Sequence, residues 1–297
     1  MFNKSIKVRK YREKCGVSVI FMSSLFSCIA VALITIFLFK EGLVLFKEVS
    51  VKEFLTSTEW FPSSDNPKYG ILSFIYATFV VTGLSLLFAL PFALSLAIFL
   101  AKMCPARLRG IIKGCTEVLQ GIPSVIFGLV GIAVVVPAVR ALFGGNGYSL
   151  LSASIVLSIM ILPTIVNVSE VSIRAVSWSL CDASTALGAT KAQTILRVVL
   201  PSSFKGIAVG IILALGRAVG ETTAVILVGG NAPILPKSLV SMGRTLTMNI
   251  VTDMSYAEGT HMQALFASGV LLFIIILALN AIAIYITHRK GSNKYDR

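Results

Sequence analysis

Residues 71–101 read ILSFIYATFVVTGLSLLFALPFALSLAIFLA. An apolar run of about 20 residues crosses a hydrocarbon core about 30 Å thick, and this run is longer. Backbone polar groups cannot go unpaired in lipid. A run of this length therefore reads as a helix, because the strands of an outer-membrane barrel are only about ten residues long and alternate. Five further runs of the same character lie at 17–39, 119–142, 150–170, 207–229 and 264–287. The whole chain agrees: 56% of its 297 residues are hydrophobic and 13% are charged, where a soluble domain carries about a quarter charged. The expected fold class is all-α, a polytopic membrane protein with six transmembrane helices.

The basic residues set the orientation, since Lys and Arg are retained on the cytoplasmic side. Lys4, Lys7, Arg9, Lys10, Arg12 and Lys14 precede the first run, and Lys102, Arg107, Arg109 and Lys113 follow the second. Arg174, Lys191, Arg197 and Lys205 follow the fourth, and Arg289, Lys290, Lys294 and Arg297 close the chain, making 18 of 26 on one side. Both termini are thus expected in the cytoplasm of a bacterium or archaeon, with the chain in the plasma (inner) membrane. The implied layout is a basic tail over 1–16, a first helix over 17–39, an outer segment over 40–69, a core over 70–288 and a second cytoplasmic tail over 289–297.

The net charge of +13 is spread over these membrane-flanking segments, so positive-inside asymmetry accounts for it and nucleic acid is not an expected partner. The first run is longer than a signal-peptide core and no A-x-A-like site follows Phe39, so it reads as an uncleaved helix. Cys15, Cys28, Cys104, Cys115 and Cys181 fall in helices or cytoplasmic segments, and no disulfide framework or metal site is expected. The two histidines, His261 and His288, form no catalytic motif, and no G-x-S-x-G is present, which argues against a membrane enzyme. No catalytic residue is assigned.

Inside the core, Gly144-Gly145-Asn146-Gly147 turns the third helix into the fourth. Gly206-x-x-x-Gly210 and Gly216-x-x-x-Gly220 allow close approach of the fifth helix to a neighbour. Pro91, Pro123, Pro137 and Pro163 permit kinks. No internal repeat supports a secondary transporter.

The cytoplasmic loop over 171–206 reads as two short helices. Ser179-Leu180-Cys181-Asp182 is a near capping box, after which Leu180, Ala183, Ser184 and Leu187 share a face. Gly188 is placed to end this helix. Thr190-Lys191-Ala192-Gln193 is a full capping box for a second helix, expected to stop before Pro201. Such a loop suits either a partner's groove or the lipid surface.

Asp182-Ala183-Ser184, Gly188 and Val198-Val199-Leu200-Pro201 resemble, at matching spacing, the EAA loop of type I ABC importer permeases, with Asp for Glu at 182 and Ser for Ala at 184. The resemblance implies a coupling helix seated in a separate ATPase, with Asp182, Ala183, Ser184, Leu187 and Gly188 as its contacts. No G-x-x-x-x-G-K-[ST] occurs, so ATP and Mg are expected on that ATPase and no cofactor on this chain.

Arg217 and Glu221, four apart in the fifth run, would lie on one helix face about one turn apart near mid-bilayer. Charges there normally face a polar pathway or each other. Gly216-Arg217-Ala218-Val219-Gly220-Glu221-Thr222-Thr223-Ala224-Val225, followed by Gly229-Gly230-Asn231, is similar to a stretch of phosphate importer permeases. Gly121-Ile122-Pro123-Ser124-Val125, Ile161-Leu162-Pro163 and Arg244-Thr245-Leu246-Thr247 fit the same group, and Thr58-Glu59-Trp60 favours its PstC type over its PstA type. That resemblance implies inorganic phosphate as substrate, Arg217, Glu221 and Thr222 in its pathway, and three partners: a PstA-type permease, a PstB-type ATPase dimer and an extracellular PstS-type binding protein. Molybdate or sulfate is the alternative cargo. Glu170 and Arg174, one turn apart at the end of the fourth run, read as an inner gate pair or a plain surface ion pair.

Overall fold

The computed structural model describes residues 2–288, with side chains from Gly16 to Thr287. The tail over 289–297 lies outside the described residues. Among the described residues six helices are long and apolar enough to cross a membrane: Gly16–Lys47, Leu72–Met103, Ser124–Phe143, Leu150–Arg174, Lys191–Gly220 and Gly259–Thr287. These are named the first to sixth spans. The first continues a helix that begins at Phe2, so the segment before residue 17 is helical.

The fourth span is the axis of the bundle. Its Ala153, Leu157, Ile161, Ile165 and Val166 are buried in one cluster with Ala77, Val81, Ala89 and Ala93 of the second span and Ala214 and Ala218 of the fifth. Alanine on both neighbours brings the helix backbones close, which is how helices gain contact energy where lipid offers no hydrophobic drive. The first of the two small-residue pairs works the same way. A Cβ on Gly206 would lie 2.0 Å from Ser172 Oγ, and one on Gly210 would lie 3.0 Å from Val168 Cβ. Gly216 and Gly220 meet nothing within 4 Å and face open space.

The first span rests on the sixth through the edge-to-face pairs Phe37–Phe266 and Phe39–Phe273 and the close approach of Gly42 to Val270. The segment after the first span then folds back as a short helix, Val51–Thr56, and a two-stranded hairpin pairing Trp60 with Tyr69 and Phe61 with Lys68. Phe54, Trp60, Ile71 and Phe74 join Leu246 and Leu265 in a second buried cluster, so this segment caps the bundle.

Prolines shape three helices in different ways. Pro123 forces Ile122 into an extended conformation (ψ 130°), which separates an amphipathic helix, Ala106–Gly121, from the third span. The expected start at residue 119 therefore moves to Ser124. At Pro201 the expectation of a stop is wrong: the helix that starts at Lys191 runs on to Gly220. A π-turn over Ile195–Val199 ends two residues before that proline, and another over Gly131–Val135 ends two residues before Pro137. The extra residue in each wide turn removes the clash between the proline ring and the carbonyl one turn earlier, so the helix continues. At the turn between the third and fourth spans, Gly147 (φ +83°) is required, because a Cβ there would lie 2.2 Å from the Val136 carbonyl.

Candidate functional site

The fifth run does not form one helix through to residue 229. Gly220 is its last helical residue; Glu221 turns extended (φ −69°, ψ 134°), and a separate helix runs from Thr223 to Gly229. Arg217 and Glu221 therefore do not share a helix face, and among the described residues no ion pair joins them. Arg217 donates to Thr164 Oγ1 of the fourth span at 3.4 Å. Glu221 Oε1 accepts from the Ala224 amide at 3.3 Å, which places a carboxylate on the first turn of the following helix. Its carbonyl accepts from Thr247 Oγ1 at 2.9 Å, and Thr222 Oγ1 donates to the Gly220 carbonyl at 3.3 Å. The break is thus held by groups on both sides of it. It leaves Arg217 half-buried in the last turn of the span, beside the open face of Gly216 and Gly220.

Beyond Gly229 the chain doubles back. Gly230 (φ +84°) and Asn231 (φ +51°) occupy the left-handed region, and the Gly243 amide donates to the Gly229 carbonyl at 3.1 Å. This return delivers Arg244 into a buried polar network that the sequence alone does not announce. Arg244 Nη1 lies 3.0 Å from both Asn249 Oδ1 and Asp253 Oδ1. Asp253 also accepts from Trp60 Nε1 at 2.9 Å and from the Tyr256 hydroxyl at 2.6 Å, and His261 Nε2 is 3.4 Å away. Burial opposes ionisation of Asp253, but the hydrogen bonds from Tyr256 and Trp60 and the charges of Arg244 and His261 outweigh it, holding the carboxyl below its ordinary value. His261, which belongs to no catalytic motif in the sequence, is part of this hub.

At the opposite end of the bundle Glu170 is buried, so the plain surface-pair reading fails. It pairs with Arg174 one turn on and lies 3.7 Å from Lys113 Nζ of the Ala106–Gly121 helix.

The loop after the fourth span holds a helix over Trp178–Ala186, capped by Ser177, whose hydroxyl accepts from the Ser179 amide at 3.2 Å. The cap therefore sits two residues before the expected Ser179. Gly188 (φ +84°) ends this stretch, and the Thr190 box forms as the sequence predicts: Thr190 Oγ1 accepts from the Gln193 amide and Gln193 Oε1 from the Thr190 amide. Ser184 is hydrogen-bonded to Thr194 at 3.0 Å and tethers the two helices. Asp182, Ala183 and Leu187 face outward, Leu187 being 90% exposed. Beside them lies a cleft of about 570 Å³ between Asp182, Lys191 and Trp178, and Lys102 Nζ sits 4.6 Å from the Trp178 ring.

A family model described as the binding-protein-dependent transport system inner membrane component matches residues 93–290. The chain belongs to this family. The permease is 37% identical to the probable ABC transporter permease protein YqgH of Bacillus subtilis, over 95% of this chain and 93% of that one. It is 35% identical to the phosphate transport system permease protein PstC of Mesorhizobium japonicum, over 80% and 78% of the two chains. The PstC of Haemophilus influenzae is 31% identical, over 91% and 92%. A solved bacterial ABC transporter involved in the import of alginate shares the fold, with a TM-score of 0.59 at 20% identity, covering 89% of this chain and 96% of that one. The permease is thus a multi-pass inner-membrane subunit of a type I ABC importer, a transport subunit of a family that works with an ATPase and a substrate-binding protein.

Proposed function

We propose that this permease carries inorganic phosphate into the cytoplasm by alternating access, with both chain termini on the cytoplasmic side. The observation that carries the reading is Arg217: a guanidinium within a membrane span, unpaired with any carboxylate among the described residues and bonded only weakly to Thr164. An ionised side chain at the bilayer centre costs about 2.5–3.5 kcal/mol on insertion scales, so it is retained where it faces a polar path. Its forked donors suit the oxygens of a tetrahedral oxyanion. The PstC names of the relatives point to phosphate among such anions.

Glu221 takes a different part from the one its spacing suggested. Its carboxylate is held by the Ala224 amide and does not restrain Arg217. Its remaining acceptor capacity fits the hydroxyl of hydrogen phosphate, which sulfate lacks at neutral pH, and Thr222 lies at the same break. The loop helix with Asp182, Ala183, Ser184, Leu187 and Gly188 is the coupling element toward a PstB-type ATPase dimer, which holds ATP and Mg. A PstA-type permease and a PstS-type binding protein complete the assembly.

The deciding experiment is uptake of labelled phosphate against sulfate and molybdate in vesicles holding the complete transporter. Wild type is expected to accumulate phosphate, and Arg217→Gln to lose at least about tenfold of that rate. Glu221→Gln is expected to narrow the preference for phosphate over sulfate. Preferred uptake of sulfate or molybdate by wild type assigns the other cargo.

A further inference from the structure

The fourth span carries Thr164, Asn167, Glu170 and Arg174 at spacings that hold them within one face of a helix. The amphipathic helix Ala106–Gly121 answers with Lys113, Thr116 and Gln120, also on one face. The two stripes meet. Asn167 Nδ2 donates to Gln120 Oε1 at 3.2 Å, Thr116 Oγ1 lies 3.4 Å from Asn167 Oδ1, and Lys113 Nζ lies 3.7 Å from Glu170. At the upper end Thr164 accepts from Arg217. A continuous ladder of polar side chains thus runs from Arg217 to Arg174 at the end of the fourth span.

Polar groups between membrane helices also serve as plain packing glue. Two features of this seam fit that role poorly. Two of its bonds, Thr116 to Asn167 and Arg217 to Thr164, are long at 3.4 Å each, close to the limit at which a hydrogen bond counts as one. Its central pair is also not sealed: Gln120 is exposed and Asn167 half-buried, whereas Ala153, Leu157, Ile161, Ile165 and Val166 in the core of the fourth span are fully buried. Weak, partly open, donor-rich contacts are what a path needs if an anion is to bind and still leave. The charges agree, since Lys113 and Arg174 outnumber Glu170, and Glu117 on the same amphipathic helix is exposed, with no ion pair among the described residues.

We propose that the anion leaves Arg217 for the cytoplasm along this seam, with Asn167 as the station between Arg217 and the exit. The Lys113–Glu170 pair is the latch that joins the two helices at the inner end. Opening requires the Ala106–Gly121 helix to part from the fourth span, which breaks the latch and the Asn167–Gln120 bond together and frees the Asn167 amide and Lys113 for the passing anion, while Arg174 stays paired with Glu170 on its own helix. The inference rests on Arg217 facing the transport path.

The test uses the complete transporter in vesicles, with uptake and binding-protein-stimulated ATP hydrolysis measured in parallel. Asn167→Leu is expected to lower uptake by about tenfold while stimulated hydrolysis stays within about twofold of wild type. Uptake that is unchanged, or that falls in step with hydrolysis, overturns the proposal. Should Asn167→Leu fail to reach the membrane, Asn167→Thr and Asn167→Val, nearly equal in shape, decide: the hydroxyl variant must transport faster, and equal rates refute the seam. Lys113→Gln is expected to raise hydrolysis in the absence of binding protein by about threefold, as an unlatched inner end would, and no rise sinks the latch. The assays use whichever of phosphate, sulfate and molybdate wild type carries. A wrong cargo therefore shows in the wild type and leaves the comparison of variants intact.

Discussion

The indole N–H of Trp60 donates to Asp253 Oδ2 at 2.9 Å, joining two positions 193 residues apart in the chain. Through this bond the hairpin after the first span is fastened to the segment that returns from the broken fifth helix. Removing the donor while keeping the ring tests it. Trp60→Phe retains the edge-to-face packing on Phe74 at 5.5 Å and Tyr69 at 6.0 Å and loses a hydrogen bond to a charged acceptor, a cost of about 1.5–3 kcal/mol. Trp60→Ala adds a cavity and is expected to cost about 3–5 kcal/mol. Thermal unfolding of the detergent-solubilised permease ranks the two.

Asp253 gives the same region a pH signature. Its carboxyl is held below the ordinary value of 3.8 in the folded chain, so it contributes stability that is fully present above that value. The contribution is lost as pH falls through the lowered folded value. Melting temperature measured from pH 6 downward is expected to drop below about pH 4 in wild type, and the part of that drop due to Asp253 to vanish in Asp253→Asn. The variant also leaves Arg244 buried beside a neutral amide, which lowers its stability at neutral pH by about 3–5 kcal/mol.

The glycines of the fifth span divide into a pair that packs and a pair that does not. Gly206→Ala would place its Cβ 2.0 Å from Ser172 Oγ and is expected to destabilise the bundle by about 1–3 kcal/mol. Gly216→Ala meets nothing within 4 Å and is expected to leave folding unchanged or slightly improved. Equal melting temperatures for the two variants would contradict the packing described.

Leu187 is 90% exposed, so Leu187→Ala removes nothing the permease needs to fold. If its loop seats the ATPase, the same change removes an apolar anchor worth about 1–2 kcal/mol or more. Co-purification of the ATPase is expected to weaken about tenfold with melting of the permease unaltered.

What sequence alone reveals here follows from which forces are local. The spans are legible because lipid demands about 20 apolar residues each, and that demand is written residue by residue along the chain. The Thr190 box is legible because its two hydrogen bonds lie within four residues. The break at Glu221 is less so, since Glu221-Thr222-Thr223 interrupts the apolar run for three residues only and it resumes at Ala224. One of the bonds that hold it comes from Thr247, far along the chain and near only after folding. The hub around Asp253 escapes for the same reason: Trp60, Arg244, Tyr256 and His261 follow no period. Pro201 misleads in the opposite direction, because its local rule is sound and the π-turn before it relieves the clash. Asn167 and Gln120 look unremarkable singly and gain meaning only when two helices align them.

The uninterrupted passage of the helix through Pro201 turns the fifth span into a stiff shaft. Lys191, beside the loop helix, and Arg217 sit on one rod about 39 Å long at 1.5 Å per residue. A tilt imposed at the loop reaches Arg217 without a joint to absorb it. The wide turn over Ile195–Val199 sets the angle between the two ends. Excising one residue there would rotate Arg217 by about 100° about the rod axis, away from Thr164, while the loop stayed where it was.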